Sequence, residues 1–285
     1  MNSHDLPTRF HIGTQKAGST FIYNLLSSHP DVSLSSQTEV HYYSKFFTRG
    51  DDWYHSLFSG KGIKIDTSPK YFMRGEDVAL RIKKACGEKA KFLLVLRNPI
   101  DLLNSHYQMQ VLSRHFHNHG DLYPKVPKDV VECVKLYPDY LKQARYNERL
   151  KADWLAHFHR SQFKIFIFEK FIKDVDKHMR ELQEFWGMEL HKLTAQKSSQ
   201  NRLMRYKTLF PLRSFVVNHP HLKRVLQKSR FFNHVYDHWL THSSGKAITK
   251  EQRLQLRELL ADDVTELKNT LHDPLAIWPE FKTKN

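Results

Sequence analysis

The sequence of 285 residues predicts an α/β fold: a P-loop-like, doubly wound, mostly parallel sheet flanked by helices, with a helical C-terminal part. Short segments of strand character alternate with segments of helical periodicity, a pattern typical of parallel sheets. Residues 92–96 are continuously apolar, as expected for a strand buried on both faces. Hydrophobic residues make up 40% of the chain, which is enough for a full core. No linker or repeat divides the sequence, so we expect one domain over residues 1–285.

Strands and helices alternate through the first half of the chain. In order, we expect a strand at 9–12, a helix over about 21–26, a strand at 62–66, a helix including 78–85, the strand at 92–96 and a helix from Pro99. The first helix should stop at His29-Pro30, because a residue before proline avoids helical geometry. Pro99 suits a first helical turn, where its missing N–H costs nothing.

The second half is predicted to become mainly helical. We expect a last strand at 163–168, a helix at 175–186, further helices beyond about residue 187, and a final amphipathic helix at 250–271. The apolar leucines of that final helix should pack on the core, and Trp278 should fix the tail against the domain. Residues 113–128 contain three histidines, a glycine and two prolines, which predicts a surface loop.

Composition narrows the ligand class and the compartment. The formal net charge of +15 favours polyanionic ligands such as nucleotides, acidic or sulfated sugars, nucleic acid or anionic membranes. Only two cysteines are present, which excludes a disulfide scaffold and favours a reducing compartment. No apolar run approaches the roughly 20 residues that span a bilayer. We therefore expect no membrane span and a cytoplasmic location, or the Golgi lumen only if an N-terminal anchor was trimmed.

The segment from Gly13 to Thr20 predicts a phosphate-binding loop, because it follows a strand and opens a helix. Backbone N–H groups and the positive end of a helix can cradle a phosphate there. The spacing is similar to the P-loop of nucleotide triphosphatases, with one difference. Lys16 lies inside the loop, and Ser19 occupies the slot where that motif has lysine. We infer that fixed cations bind the phosphate where a kinase would use a metal.

A second anion site is predicted after the strand at 92–96. Arg97 follows that strand at the edge where ligands bind in open α/β sheets. Ser105 lies about two turns into the helix that begins at Pro99, where its hydroxyl can face the same ligand. Arginine and serine together form a charge-assisted phosphate site. Two such sites suit a nucleotide that is phosphorylated at both ends.

These two elements together resemble a known family. The loop Q-K-A-G-S-T and the motif R-N-P-x(5)-S-H-Y are similar to the pair that binds 3′-phosphoadenosine 5′-phosphosulfate (PAPS) in sulfotransferases. The resemblance implies PAPS as donor and no metal. It assigns the 5′-phosphosulfate to the loop and the 3′-phosphate to Arg97 and Ser105. The loop residues it implies are Lys16, Ala17, Gly18, Ser19 and Thr20.

The catalytic candidates also come from the resemblance. Thr38-Glu39-Val40-His41-Tyr42-Tyr43 resembles the E-V-H-[FY]-[FY] segment of the carbohydrate branch, which includes heparan sulfate sulfotransferases. There the glutamate deprotonates the acceptor hydroxyl, a role that a positioned carboxylate can fill. This implies Glu39 as general base, with His41 as the alternative base, and Lys16 stabilising the developing charge. The implied acceptor is an oligosaccharide, a polysaccharide or a glycolipid, attacked through a hydroxyl or, with less support, an amine.

Two further segments carry weaker resemblances. Residues 66–72 end in the family pattern P-x-Y-F, but Thr67 stands where relatives of the heparan sulfate branch have a lysine; Lys64 or Lys70 can substitute. The segment 244–247 is similar to the lid over the nucleotide, which implies nucleotide binding by Lys246. The dipeptide at 201–202 is a competing candidate for this lid.

Other hypotheses about the function stay open. A nucleotide kinase or triphosphatase can use the same loop but needs an acidic ligand for Mg²⁺, and a sulfotransferase can act on a non-carbohydrate small molecule. The basic residues match no nucleic-acid motif, so no nucleic-acid partner is expected. Three histidines at alternate positions, 115–119, have no acidic neighbour in the motif, so we expect no metal there. No pattern indicates an oligomeric state.

Overall fold

The structure, a computed structural model, describes residues 6–113, 116, 119, 122–194 and 248–282. Its centre is a five-stranded sheet in the order β2-β3-β1-β4-β5, and every neighbouring pair is parallel. The strands are β1 (Arg9–Gly13), β2 (Val32–Leu34), β3 (Ile63–Thr67), β4 (Lys91–Leu96) and β5 (Phe163–Ile167). The predicted doubly wound α/β class is confirmed.

Helices cover both faces of the sheet. Those of the described residues are α1 (Ser19–Leu26), α2 (Gly50–Ser56), α3 (Tyr71–Arg74), α4 (Glu76–Cys86), α5 (Pro99–Leu112), α6 (Val130–Leu136), α7 (Tyr146–Arg149), α8 (Phe168–Phe171), α9 (Val175–Trp186) and α10 (Lys250–Leu271). Short 3₁₀ and π turns join several of them. Within the described ranges, none of these helices combines the length and the apolar character that a membrane span requires.

The two faces of β4 explain why this strand is apolar throughout. Its side chains alternate between two separate hydrophobic clusters, and residues 92–96 are fully buried. Phe92 and Leu94 join the cluster that contains Phe10 and Trp154. Leu93 joins the other cluster, which includes residues of α1 and α9. A strand covered by helices on both sides has no face left for polar residues.

Capping residues form the ends of α9 and α10, the two helices whose bounds the sequence predicted. The Asp174 side chain accepts the Lys177 N–H at the start of α9, and Gly187 ends this helix in a left-handed conformation. Thr249 and Gln252 form a capping box at the start of α10. Both helices have the predicted bounds.

Two expectations about elements are corrected, and one strand was not expected. The sequence did not predict β2, because three residues with a central serine give no clear pattern. Residues 188–194 contain no helix, so the expectation of helix directly beyond residue 187 is wrong for them, and residues 195–247 lie outside the described part. Leu254 and Leu259 of α10 are exposed, whereas Leu256 and the other buried positions of that helix pack on the core. Trp278 is fully buried, as expected.

Candidate active site

The predicted phosphate loop connects β1 to α1 and is anchored to the centre of the sheet. The backbone N–H and the hydroxyl of Thr14 both donate to the Val95 carbonyl, at 2.8 and 2.9 Å. Lys16 and Gly18 adopt left-handed conformations, with φ of 66° and 82°. Such a conformation is costly for lysine, and residues held in this way concentrate at functional sites. The loop is therefore a fixed turn rather than an open connection.

The start of α1 presents unpaired backbone donors to this loop. Its first intrahelical bond runs from the Ile22 N–H to the Gly18 carbonyl, at 3.0 Å. The N–H groups of residues 19–21 have no intrahelical acceptor, and no acidic residue lies in the first turn. The Ser19 side chain is half-buried and Thr20 is exposed, while Ala17 is buried in the core. This is the geometry expected of an anion site at a helix N-terminus.

Arg97 reaches the phosphate loop from the end of β4. Its Nη1 donates to the Lys16 carbonyl at 2.9 Å, and its guanidinium lies 5.5 Å from the ring centre of Phe168. Burial lowers the pKa of Lys16, and the nearby charge of Arg97 lowers it further. Two cations held together in this way repel each other, and a bound polyanion would relieve the repulsion. The two predicted anion sites are thus in direct contact.

The backbone around Arg97 is fixed by residues distant in sequence. The Tyr146 hydroxyl donates to the Arg97 carbonyl at 2.9 Å. The Asn98 N–H donates to one oxygen of Glu169 at 2.8 Å, and Trp278 Nε1–H donates to the other at 2.9 Å. The buried tail therefore supports the second anion element, a role that no sequence motif indicated.

Of the other residues predicted to bind the nucleotide, the structure describes Ser105 but not Lys246. Ser105 is half-buried on α5, roughly 9 Å along the helix axis from Pro99 by the rise per residue. Its contact with a phosphate stays a prediction. Lys246 lies outside the described residues, as do the competing pair at 201–202 and the histidines at 115 and 117.

Glu39 and His41, the two candidate bases, form one pair. Glu39 Oε2 and His41 Nε2 lie 3.0 Å apart, with the carboxylate side chain 39% exposed and the imidazole 15% exposed. Val40 between them is fully buried and anchors the segment, while His41 adopts a left-handed backbone with φ of 55°. A carboxylate or an imidazole positioned in this way can accept a proton from a reacting hydroxyl.

This pair is fixed at the same sheet edge as the phosphate loop. The Thr67 hydroxyl donates to the Thr38 carbonyl at 2.9 Å, at the end of β3. The Ser68 N–H donates to the His11 carbonyl at 3.1 Å, and β3 lies beside β1. Burial lowers the pKa of His11 to about 4, against the opposing effects of the Gly13 backbone and the Glu39 carboxylate. The charge of Glu39 is thus felt two residues before the loop begins.

The lysines considered as substitutes at the Thr67 position have different surroundings. Lys64 Nζ lies 3.1 Å from His55 Nε2, three residues before the end of β3. Lys70 is half-buried immediately before α3. Thr67 itself is buried and bonded to backbone. Substitution by Lys64 or Lys70 stays a prediction.

Sequence reasoning missed two contributors at this edge. Phe168 lies directly below the loop: a Cβ built on Gly18 would come within 2.9 Å of its ring. Asp66 is a fully buried carboxylate that accepts a hydrogen bond from Ser68, whose oxygen in turn accepts the His41 N–H. The sequence offered little signal for Asp66, because in Ile63–Thr67 it alternates with apolar residues just as Lys64 does, a pattern that predicts a solvent-facing side chain.

One cluster has the composition of a metal site but not its free ligand atoms. His29, Asp31 and His191 lie together at the far end of α1. His29 Nδ1 accepts the Asp31 N–H at 3.1 Å, and its Nε2 donates to the Glu189 carbonyl at 3.0 Å. Both ring nitrogens of His29 are engaged, so this cluster fits a structural hydrogen-bond network better than a metal centre.

Comparison with known proteins gave consistent matches. A family model described as "Sulfotransferase domain" matches residues 7–258. The mouse (Mus musculus) heparan sulfate glucosamine 3-O-sulfotransferase 3B1 is 27% identical over 197 residues, 65% of this chain and 47% of that protein. The Xenopus laevis bifunctional heparan sulfate N-deacetylase/N-sulfotransferase 1 is 28% identical over 211 residues, 65% of this chain.

The chain spans about half of the first relative and 23% of the second. Among solved structures, a sulfotransferase from Alicyclobacillus acidocaldarius superimposes with a TM-score of 0.63 at 20% identity, covering 96% of this chain and 98% of that one. This structural likeness supports the fold.

Proposed function

Because the chain belongs to the sulfotransferase domain family, we propose that it transfers the sulfuryl group of PAPS to a hydroxyl of a saccharide acceptor. The family match confirms the predicted sulfotransferase family. The observation that carries the proposal is the contact between Arg97 and the Lys16 carbonyl. It brings two cationic elements together, which supports one site for a ligand with anionic groups at both ends.

In this proposal the donor lies across the loop and the end of β4. The free N–H groups at the start of α1, with Lys16 and the hydroxyls of Ser19 and Thr20, bind the 5′-phosphosulfate. The guanidinium of Arg97 and the Ser105 hydroxyl bind the 3′-phosphate. The mutual repulsion of Lys16 and Arg97 supports this arrangement, because a polyanion stabilises both charges.

The transfer step uses Glu39 as general base. Glu39 accepts the proton of the acceptor hydroxyl while the acceptor oxygen bonds to sulfur and the bond from sulfur to the 5′-phosphate oxygen breaks. Lys16 stabilises the negative charge that develops on the departing phosphate. His41 holds the carboxylate at 3.0 Å and remains the alternative base. The products are a sulfate ester and 3′-phosphoadenosine 5′-phosphate (PAP).

A basic and aromatic surface follows this pair and supports an anionic saccharide as acceptor. Arg49 lies over the rings of Phe46 and Trp53, at 4.6 and 4.7 Å, and Lys45 Nζ lies 5.0 Å from the Phe46 ring centre. The Lys45 N–H donates to the His41 carbonyl at 2.8 Å, so the surface begins one turn after His41, the alternative base. Aromatic faces suit sugar rings, and cations suit their sulfate or carboxylate groups.

The names of the two relatives contain heparan sulfate and include both O- and N-sulfotransferases. We therefore place an acidic or sulfated saccharide hydroxyl first and an amine second. Transfer of ³⁵S from PAPS to heparan sulfate, compared with a neutral chitin oligosaccharide, tests this order. Equal labelling of the neutral sugar would contradict the anionic acceptor.

A nucleotide kinase would use the same helix N-terminus, but it also needs an acidic Mg²⁺ ligand. Two carboxylates near the two anion elements already have partners. Glu39 is bound to His41, and Glu169 accepts hydrogen bonds from Asn98 and Trp278. This arrangement favours sulfuryl transfer.

Calorimetric titration separates the two functions. We expect PAP to bind in EDTA more tightly than ATP binds with Mg²⁺, and Arg97→Ala to lower the PAP affinity at least about 10-fold. Arg160→Ala is the control, because Arg160 also donates Nη1 to one backbone carbonyl, at 2.8 Å, but is exposed and lies at the opposite end of a strand. Binding of ATP alone would overturn the sulfotransferase proposal.

A further inference from the structure

Asp66 is a buried carboxylate that accepts three hydroxyl hydrogen bonds at the end of β3. Its Oδ1 accepts from Ser68 at 2.6 Å. Its Oδ2 accepts from Tyr54 at 2.7 Å and from Tyr71 at 2.9 Å. Burial raises the pKa of Asp66, while the three hydroxyls and the nearby His41 oppose this rise. A carboxylate in such surroundings is costly unless its partners are held in place.

Two of these hydroxyls also accept backbone N–H groups from the segment that carries the candidate base. Ser68 Oγ accepts the His41 N–H at 3.0 Å, and the Tyr71 hydroxyl oxygen accepts the Tyr43 N–H at 3.1 Å. Each oxygen that receives an N–H must point its own proton elsewhere, and here both point to Asp66. The donor direction along both hydrogen-bond chains is therefore fixed: the amide donates to the hydroxyl, and the hydroxyl donates to the carboxylate.

The segment fixed in this way has a strained backbone. His41 has φ of 55°, a conformation that a non-glycine residue keeps only when its surroundings impose it. The two hydroxyl contacts lie on either side of Tyr42, and Glu39 precedes the first of them by two residues. Relaxation of this turn would move the Glu39–His41 pair relative to the phosphate loop.

We propose that Asp66, acting through Ser68 and Tyr71, is a positioning residue that holds Glu39 and His41 in the geometry required for proton removal from the acceptor. This inference rests on the proposed function. Asp66 does not touch the reactants: it is fully buried, and its contacts orient the hydroxyls that bind the backbone at positions 41 and 43.

Tyr54 supplies a matched control for Tyr71. Both tyrosines are fully buried, and both hydroxyls donate to the same oxygen of Asp66. Only the Tyr71 hydroxyl also accepts a backbone N–H of the 41–43 segment. Tyr71→Phe and Tyr54→Phe therefore each remove one hydrogen bond to the same oxygen of Asp66 and keep the aromatic ring. Only Tyr71→Phe also removes the acceptor of the Tyr43 N–H. Ser68→Ala removes the acceptor of the His41 N–H.

The first measurement is steady-state transfer of ³⁵S from PAPS to heparan sulfate. We expect Tyr71→Phe and Ser68→Ala to lower kcat by about 10- to 100-fold, since small displacements of reacting groups cost this much, with KM for PAPS unchanged. Tyr54→Phe should stay within about 3-fold of the unchanged protein on the same reasoning. In a Glu39→Gln background, Tyr71→Phe should have almost no further effect, because its action passes through Glu39.

The second measurement needs no acceptor. Hydrogen exchange of a peptide covering residues 38–46 should accelerate in Tyr71→Phe and Ser68→Ala but not in Tyr54→Phe. Equal exchange and equal kcat in the two tyrosine variants would overturn the positioning role. Absence of PAP binding or of transfer by the unchanged protein would instead contradict the proposed function. Exchange of the same peptide in Asp66→Asn, compared with Tyr54→Phe, would still decide whether Asp66 fixes this turn, and equally slow exchange in both variants would overturn that role.

Discussion

Replacement of Gly18 by alanine tests how closely the phosphate loop is fitted to the protein beneath it. Gly18 has φ of 82° and ψ of 21°, a left-handed conformation that glycine adopts freely and alanine does not. A Cβ at this position would also come within 2.9 Å of Cε2 of Phe168. The Phe168 ring in turn lies under the Arg97 guanidinium. A single methyl group therefore strains the loop and displaces part of the second anion element.

The expected cost follows from these two contributions. The left-handed conformation costs alanine about 1–2 kcal/mol. Displacement of a packed ring by an added methyl costs about 1–3 kcal/mol. We expect the free energy of unfolding to fall by about 2–5 kcal/mol in Gly18→Ala, which is a large part of the stability of an ordinary domain.

Gly187 provides the control that separates the two contributions. It ends α9 with φ of 68° and ψ of 40°, and no atom lies within 4 Å of a Cβ built there. Gly187→Ala should therefore lose only the conformational part, about 1–2 kcal/mol. Urea unfolding measures both losses. Calorimetry with PAP should show an affinity about 10-fold lower for Gly18→Ala and unchanged for Gly187→Ala. Equal losses of stability with equal PAP affinity would refute the fit between Gly18 and Phe168.

Two further predictions concern charge and protonation. Glu39→Gln should keep its PAP affinity but lower ³⁵S transfer to heparan sulfate by about 100-fold or more, since general bases contribute this much; full transfer would contradict Glu39 as base. Burial lowers the pKa of His11 from 6.5 to about 4, so the unfolded chain takes up the proton first as the pH falls. Stability should be lost between pH 6.5 and 4, by about 2 kcal/mol at pH 5. Urea unfolding at pH 7.5 and at pH 5 should show that the free energy of unfolding depends less on pH in His11→Leu than in the unchanged protein. Equal dependence in the two proteins would contradict His11 as its origin.

Long, regular segments were predictable from local pattern. The bounds of α9 and α10 and the buried strand β4 follow from apolar periodicity and from capping residues adjacent in sequence. The strand β2 was not predictable, because Val32, Ser33 and Leu34 become a strand through pairing with β3 rather than through their own pattern. Likewise, the exposed leucines of α10 cannot be told from its buried ones without knowing which face the sheet covers.

The chemistry of the candidate site was predictable in part. The glycines, Lys16 and the helix start lie within eight residues, so a joint role in phosphate binding could be predicted from them directly, as could the place of Arg97 at the end of a strand. The contacts that support these residues were not predictable. Glu169 and Trp278 fix the backbone after Arg97 from more than 70 residues away, and Tyr71 fixes the turn at His41 from another element.

The sequence by itself determined the alternation of strands and helices and the place of the loop before α1, because these depend on neighbours within a turn or a strand; the candidate base followed from the resemblance to a family and stays a prediction. The tertiary structure decided that Arg97 contacts Lys16 across 81 positions and that Asp66 receives three hydroxyl bonds in the core. The physical reason is that burial, hydrogen-bond direction and repulsion between like charges arise only when packing brings distant residues together.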